Sequence, residues 1–198
     1  MSKKIDLILI KKLRAKTDAP IVDCKNSLEE ANGDLTQAVE ILRKKGITKG
    51  QEKKERVTSE GRIASYIHFG GKIGVLVEIN CETDFVARTD EFKNLVKDIT
   101  MHIAASNPKY IAQKDVPEEV IKKETDLYNS QSSDKPAAVI EKIAQGKLKK
   151  FYSEVCLLNQ PFVKDPSKTI GGIIDEHIGK IKENIQVKRF IRYHLGEQ

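Results

Sequence analysis

A change of hydrophobic period near residue 85 constrains this chain more than any other feature of its sequence. Residues 73–81 alternate between apolar and polar side chains, which is the period of a half-buried β-strand. From residue 92 onward the apolar side chains instead recur at helical spacing. The two apolar sets are Ile73, Val75, Val77 and Ile79, then Phe92, Leu95, Val96, Ile99 and Ile103. The sequence therefore predicts a strand, a corner and a helix in succession.

The corner carries an acidic and an aromatic side chain next to each other, Asp84 and Phe85. Thr89, followed by Asp90 and Glu91, is typical of a helix N-cap and an acidic first turn, so the next helix is expected to begin there. A phenylalanine at such a corner can point away from its own core. Because buried phenylalanine is the commoner case, the pattern alone favours a Phe85 that plugs the seam between sheet and helix.

Two further strands and several helices place the chain in the α+β class. Residues 63–69 alternate in polarity before Gly70-Gly71, which predicts a hairpin with residues 73–81. Residues 185–195 predict a third strand with its apolar side chains on one face and Arg189 as an exception. Helices are predicted over 92–105, after Pro117, over 136–145 up to Gly146, over 148–155 and from Ile170 to Gly179, with 157–166 irregular. We expect a helical layer packed on a small three-stranded antiparallel sheet.

Residues 1–46 are predicted to form a separate bundle of three short helices. Pro20 favours a new helix start, Asn32-Gly33 favours a left-handed helix end, and the third helix is expected to stop at Gly46. Ile21 and Val22 are adjacent in the second helix, so one of them should be exposed. The polar, basic residues 47–58 predict a linker, and residues 59–198 are then the α+β core and dimerisation domain.

The motifs that would indicate catalysis or a bound cofactor are absent from this sequence. It contains no Gly-x-x-x-x-Gly-Lys phosphate loop, no Gly-x-Ser-x-Gly elbow and no His-Glu-x-x-His metal motif. Cys24, Cys81 and Cys156 are far apart, which gives no support to a zinc site and fits a reducing compartment. No apolar run approaches the roughly 18 residues of a membrane span, and the start has no secretory segment. We expect a cytosolic binding protein with no catalytic residue, metal or cofactor.

Three blocks of sequence, present together and in order, resemble the family of translation elongation factor Ts, the nucleotide-exchange factor for the GTPase EF-Tu. The first block is LRAKTDAP, DCK and EANGD within residues 13–34. The second is EINCETDFVAR at 78–88. The third combines QPFV at 160–163, SKTIG at 167–171 and RFIR at 189–192. Together the blocks cover nearly the whole chain, which is far more specific than one short motif.

The resemblance implies both a fold and a mechanism. The helical unit resembles the family's ubiquitin-associated (UBA)-like N-terminal domain, which contacts the nucleotide domain of EF-Tu. The corner matches the segment that inserts beside the nucleotide site, disturbs the bound Mg²⁺ and the phosphate loop, and releases GDP. The matching positions are Arg14, Ile21 and Val22 in the N-terminal unit, and Thr83, Asp84, Phe85 and Val86 at the corner. On this resemblance Phe85 is expected to point outward.

The chain departs from the family pattern in three respects. Asp18 stands where the family usually has glycine, and aspartate tolerates the left-handed region better than most residues. The hairpin and its helix occur once, and residues 101–106 resemble the second half of the long family form, whose C-terminal helical module is also missing. Short members of the family pair as homodimers, and the free edges of a three-stranded sheet favour such pairing, so we expect a homodimer.

Two other functions remain open on the sequence. A net charge of +6 and the basic stretch from Arg43 to Arg56 permit an RNA- or ribosome-binding module, although the resemblance leads us to expect no direct contact with nucleic acid and none with a membrane. The helical bundle alone permits a ubiquitin-type adaptor, which leaves the rest of the chain unexplained. A start without transit-peptide character favours the bacterial cytoplasm. Whether a cysteine forms an intermolecular disulfide is open.

Overall fold

The computed structural model describes residues 6–17, 19–53, 56–130 and 136–197, and strand β2 lies at its centre. β2 (Ile73–Cys81) pairs with β1 (Glu60–Ile67) on one side and with β5 (Ile185–His194) on the other, antiparallel in both cases. The β1–β2 turn holds Gly70 and Gly71 at positive φ, where the lack of a Cβ avoids a steric penalty. The predicted three-stranded antiparallel sheet is confirmed.

Helices cover one face of this sheet. Val75, Val77 and Ile79 of β2 share one continuous core with Phe92 and the other apolar side chains of α5, which confirms the α+β class. The helices are α1 (Leu7–Thr17), α2 (Ile21–Glu30), α3 (Leu35–Lys53), α4 (Asp84–Arg88), α5 (Asp90–Ser106), α6 (Glu118–Ser130), α7 (Ala137–Val155) and α8 (Ile170–Ile181). A small hairpin, β3 (Pro161–Phe162) and β4 (Asp165–Thr169), precedes α8.

A β-bulge in β5 corrects the predicted third strand. Ile79 pairs with Val187 but Glu78 pairs with Arg189, so Lys188 is an extra residue in the strand. Beyond the bulge the odd-numbered side chains face outward; these are Arg189, Ile191 and Tyr193. The prediction of one apolar face along residues 185–195 is therefore wrong. Arg189 is no exception, since it meets Glu78 on the outside of the sheet at 2.7 Å.

The outer face of the sheet, on the side away from α5, is apolar and exposed. All three strands contribute to it. We refer to this surface as the outer sheet face, and it consists of Ile63 and Ile67 of β1, Leu76 of β2, and Ile191 and Tyr193 of β5. Contiguous exposed apolar surface of this kind is typical of protein interfaces.

The N-terminal helices pack around a core of their own, and α3 also packs against α8. Buried residues of this second core include Leu13, Cys24, Leu28, Ala38 and Leu42. α3 continues to Lys53 through both Gly46 and Gly50 instead of ending at Gly46, because each interior glycine costs only about 1 kcal/mol. The predicted linker 47–58 therefore begins as helix. Asp18, which stands where the family usually has glycine, lies outside the described residues.

Two boundaries in the second half of the chain also differ from prediction. α7 runs through Gly146, where two helices were expected, and the predicted irregular region contains the β3–β4 hairpin. Buried His102 fastens this hairpin to α5: its Nε2 donates to Gln160 Oε1 at 2.9 Å, and its Nδ1 accepts from the Val163 backbone N–H at 3.4 Å. Burial lowers the pKa of His102, which favours the neutral ring. Among the described residues, no helix is long and apolar enough to cross a membrane.

Candidate functional site

The corner after β2 folds as a short helix, α4, which the sequence analysis did not predict. Thr83 is its N-cap, and the Thr83 Oγ1 accepts a hydrogen bond from the Val86 backbone N–H at 3.3 Å. Asp84 in the first turn pairs with Arg88 four residues later at 2.7 Å. A threonine cap, an acidic first turn and an arginine at i+4 are the signals that could have identified this helix.

α4 turns Phe85 outward and Val86 inward. The Phe85 side chain is 76% exposed, so the interpretation in which it plugs the seam between sheet and helix is wrong. Val86 is only 6% exposed and belongs to the core beneath the sheet. Val86, predicted as part of the inserting segment, therefore supports that segment from below. Thr83 and Asp84 are exposed beside Phe85, so these three residues form the surface of the corner.

A second cap follows at once and fixes the far end of the corner. Thr89 Oγ1 accepts from the Phe92 backbone N–H at 3.2 Å and donates to the Val86 carbonyl at 2.8 Å. The predicted start of α5 at Asp90 is thereby confirmed. Because Thr89 bonds to both helices, α4 and α5 are fixed relative to each other, and Phe85 projects from a restrained backbone.

The buried thiol of Cys81 lies directly beneath the corner. Its Sγ donates to the Thr83 carbonyl at 3.2 Å. Burial is the main cause that raises the pKa of this thiol from 9.0 to about 11, and the nearby Glu183 carboxylate raises it further. The thiol is therefore protonated at neutral pH, where it serves as a hydrogen-bond donor and not as a nucleophile. Cys24 and Cys156 are also free and buried.

Sequence reasoning missed two carboxylates that lie against this corner. Glu183 contacts the backbone and hydroxyl of Thr83, and Glu82 contacts the turn that carries Glu183. About 100 positions separate the partners along the chain. Nothing in the local pattern around Glu183 indicates this contact, because the pairing arises only when β5 returns to lie beside β2.

The predicted contact residues of the N-terminal unit are all at the surface. Ile21 is 54% and Val22 is 66% exposed, although only one of them was expected to be. Both lie in the first turn of α2, whose buried side is formed by residues further along the helix. Arg14 projects from α1 into a cleft of about 540 Å³ between the bundle and α8. Arg14 therefore lines the cleft, whereas Ile21 and Val22 are exposed on α2, the helix that contributes Asp23 to the same cleft.

This cleft is predominantly basic along the described part of its wall. The charged residues that line it are Arg14, Lys16, Arg43, Lys45, Lys168, Lys180 and Lys182, with Asp23 and Glu176. Several of these cations are already paired: Lys168 and Arg43 lie 2.6 and 3.3 Å from the Glu176 carboxylate. The cleft therefore favours an acidic partner surface, but with less net charge than its lysines alone suggest.

The end of α8 connects the two predicted contact regions. Lys180 and Lys182 line the cleft, and Glu183 follows immediately at the corner. Arg14 lines the same cleft as Lys180 and Lys182, and these two lysines shortly precede Glu183, the partner of the corner residue Thr83, in the chain. Among the described residues, no cluster of histidine, cysteine, aspartate or glutamate could hold a metal ion.

Comparison with known proteins gives a consistent result. The sequence profile of the family described as "Elongation factor TS" matches residues 22–197. Elongation factor Ts of Koribacter versatilis is 58% identical over 190 residues, which are 95% of this chain and 87% of that protein. That of Pseudothermotoga lettingae is 55% identical over 192 residues, or 96% and 97% of the two chains. That of Thermotoga neapolitana is 53% identical over 195 residues, or 98% and 99%.

Proposed function

This chain belongs to the elongation factor Ts family, and on that premise we propose that it is a guanine-nucleotide exchange factor for EF-Tu. A role in translation elongation follows from the family. The finer proposal is that the corner enters EF-Tu-GDP near its Mg²⁺ and promotes GDP release so that GTP can bind. The observation that carries it is the outward Phe85, 76% exposed on a backbone capped at both ends.

The corner supplies what an inserting wedge needs. Phe85 offers a large apolar ring, and a restrained aromatic side chain can fill a partner pocket with little loss of conformational entropy. Asp84 and Thr83 place a carboxylate and a hydroxyl beside the ring, so the wedge also carries hydrogen-bonding groups. Mg²⁺ requires nearly ideal octahedral geometry, and small shifts of its ligands weaken the metal site and the phosphate contacts together.

Exchange of this kind is a binding effect and requires no catalytic group. A factor that binds nucleotide-free EF-Tu more tightly than EF-Tu-GDP must lower the affinity for GDP by the same factor, since linkage between two sites is reciprocal. Faster release then follows from stabilisation of the complex through which GDP leaves. We therefore propose a non-enzymatic factor without a cofactor of its own, acting in the bacterial cytoplasm.

The N-terminal unit is the proposed second contact with EF-Tu. Ile21 and Val22 are exposed apolar residues at the start of α2, a helix whose Asp23 lines the basic cleft together with Arg14. Apolar residues surrounded by charge are typical of the centre and rim of a protein interface. This contact would hold the GTPase while the corner acts, so substitutions here should lower affinity more than the maximal rate of release.

We also propose that two copies pair through the outer sheet face. Its apolar side chains come from all three strands, and the helices described here pack on the opposite side. Two such faces can stack about 10 Å apart and bury each other. Sedimentation at micromolar concentration should show a dimer, and Leu76→Glu at the centre of the face should yield monomers. A wild-type protein that sediments as a monomer would refute the pairing.

The proposed exchange activity is tested by stopped-flow release of fluorescent GDP from EF-Tu at saturating unlabelled nucleotide. We expect the wild-type chain to accelerate release, and Phe85→Ala to reduce that acceleration on the order of 100-fold. Phe69→Ala is the matched control, since this second phenylalanine is 98% exposed in the β1–β2 turn and away from the corner. Equal release rates for Phe85→Ala and Phe69→Ala would refute the proposal that Phe85 is the inserting residue. No acceleration by the wild type would remove the exchange function.

The alternative of an RNA- or ribosome-binding module has less support from the charges. At the two ends of the basic stretch, Arg43 pairs with Glu176 at 3.3 Å and Arg56 pairs with Glu82 at 3.7 Å. We therefore propose no direct nucleic-acid partner. RNA affinity that falls steeply with salt concentration would support the alternative, because displaced counterions give phosphate contacts that signature.

A further inference from the structure

The turn between α8 and β5 lies directly against the corner that carries Phe85. α8 ends at Ile181 and is capped by Lys182, which adopts the left-handed conformation at φ 68°, and Glu183 and Asn184 follow before the strand begins. This reversal aims the Glu183 side chain at the start of α4. The corner therefore has a neighbour from the other end of the sequence.

The Glu183 carboxylate accepts three hydrogen bonds from the corner. Its Oε2 accepts from the backbone N–H groups of Glu82 and Thr83, at 3.2 and 3.0 Å. Its Oε1 accepts from the Thr83 hydroxyl at 2.6 Å. An ionised carboxylate suits this arrangement because both oxygens accept, and charged acceptors form the stronger class of hydrogen bond.

Glu82 makes the reverse contact and closes a clasp between the two turns. Its Oε1 accepts from the Asn184 backbone N–H at 2.6 Å. The Asn184 side chain in turn donates to the Arg56 carbonyl at 2.7 Å, just before β1. Each turn thus binds the backbone of the other, and we refer to Glu82, Glu183 and Asn184 as the clasp.

The clasp acts on Phe85 through the hydroxyl of Thr83. A threonine hydroxyl has one hydrogen to donate, and here Glu183 receives it. The oxygen is then oriented to accept from the Val86 N–H and cap α4. Glu183 therefore fixes the cap, the cap fixes the first turn of α4, and that first turn aims Phe85.

We propose that Glu183 is a positioning residue for nucleotide exchange: it holds the corner in the orientation in which Phe85 enters the GTPase. This inference rests on the proposed exchange function. Glu183 need not touch EF-Tu itself. Thr83 is exposed, so water can take over its hydrogen bonds when the carboxylate is removed. The loss is therefore one of order at the corner, with the fold retained.

The test combines kinetics with a direct measurement of the corner. For Glu183→Ala we expect the maximal rate of GDP release to fall on the order of tenfold, because misplacement of an acting group slows a step strongly. The concentration of factor that gives half the maximal rate should change less than about twofold, since the N-terminal contact is intact. Glu183→Gln keeps one accepting oxygen and should fall between wild type and Glu183→Ala.

Amide hydrogen exchange reports the clasp without reference to EF-Tu. The N–H groups of Glu82 and Thr83 should lose protection in Glu183→Ala, while amides in the middle of α5 keep theirs. Glu154→Ala is the control, since this exposed glutamate pairs with Lys150 within α7 and is not part of the clasp. It should leave both the release rate and the Glu82 and Thr83 amides unchanged.

The outcomes separate this inference from the proposed function. Unchanged protection of Glu82 and Thr83 in Glu183→Ala overturns the clasp, whatever the kinetics. Lost protection with a wild-type maximal rate overturns the positioning role, and if Phe85→Ala is slow in the same assay, the exchange function stands without it. A Phe85→Ala variant that releases GDP as fast as wild type refutes the proposal that Phe85 inserts into the GTPase. Lost protection with a reduced maximal rate and an unchanged half-saturating concentration supports the proposal.

Discussion

Two phenylalanines at chain reversals show how differently one side chain can be presented. Phe69 in the β1–β2 turn is 98% exposed and Phe85 in α4 is 76% exposed, so exposure alone does not separate them. The Phe69 turn is closed by backbone bonds, from the His68 N–H to the Ile73 carbonyl and from the Gly71 N–H to the His68 carbonyl. Phe85 projects from a helix held by two threonine caps, a buried valine and a carboxylate clasp. What distinguishes Phe85 as the candidate binding residue is therefore the restraint on its backbone, not the exposure of its ring.

The largest expected effect comes from removing the support beneath the corner. Phe92 is fully buried in the first turn of α5, so Phe92→Ala should lower the free energy of unfolding by about 3–5 kcal/mol. Phe69→Ala should change it by less than about 0.5 kcal/mol, since its ring is in solvent. Urea unfolding of both variants measures the difference. Similar losses in the two would mean that the turn is as strongly packed as the corner.

High pH should destabilise the protein through the buried thiol beneath the corner. The Cys81 pKa is 9.0 ordinarily and about 11 when folded, so the unfolded chain loses this proton first. The stability that the protonated thiol contributes is fully present below pH 9 and is lost as pH rises through 11. Unfolding measured from pH 8 to 11 should therefore show a steeper loss for wild type than for Cys81→Ala. If the unfolding free energies of the two proteins fall in parallel with pH, the Cys81 thiol does not contribute to the loss of stability.

A smaller loss is expected when one cap is removed. Thr89→Ala deletes the acceptor for the Phe92 N–H and the bond to the Val86 carbonyl, and should cost about 1 kcal/mol of unfolding free energy. Thr89→Ser keeps the hydroxyl and should cost less. Thermal or urea unfolding distinguishes them. If serine is as damaging as alanine, the methyl group and not the cap is what matters.

The smallest effect on stability is expected at the exposed ion pair of α4. Asp84→Ala removes the bond to Arg88 and should change the unfolding free energy by less than about 0.5 kcal/mol, because exposed i,i+4 pairs contribute little. It should nevertheless slow GDP release, since Asp84 lies on the proposed contact surface. Arg88→Ala loses the same pair and serves as the control. Equal release rates for the two would assign the effect to the pair.

The sequence predicted the parts of the fold that local periodicity determines. Strand β2 and helix α5 are bounded by their own apolar patterns, and Asn32-Gly33 ends α2 through left-handed geometry that few other residues adopt. The pattern predicts helix ends at Gly46 and Gly146, yet both lie inside helices, since a propensity cost near 1 kcal/mol per glycine is easily outweighed by tertiary context.

The candidate site was predictable only in part, for a related reason. The direction of Phe85 depends on α4, whose five residues are too few for a period to be visible. The family resemblance, not the pattern, indicated that Phe85 points outward. Glu183 was not predictable, because its contacts with Glu82 and Thr83 join positions about 100 residues apart. Local patterns identify segments, whereas the restraint on this site comes from a tertiary contact.

The bulge at Lys188 reverses which face of the sheet the odd-numbered side chains of β5 occupy. Before it, the odd-numbered residues Ile185 and Val187 are buried, and after it the odd-numbered residues Ile191 and Tyr193 are exposed. Odd-numbered apolar residues of one strand thereby face the core before the bulge and the outer sheet face after it, whereas in an unbroken strand residues of one parity all share a face. A chain that lacked Lys188 would keep both assignments in a regular strand, whereas a chain that paired Lys188 regularly would drive Arg189 into the core. Lys188, which has no partner residue on β2, thus determines which face of the sheet the odd-numbered side chains occupy in each half of the strand.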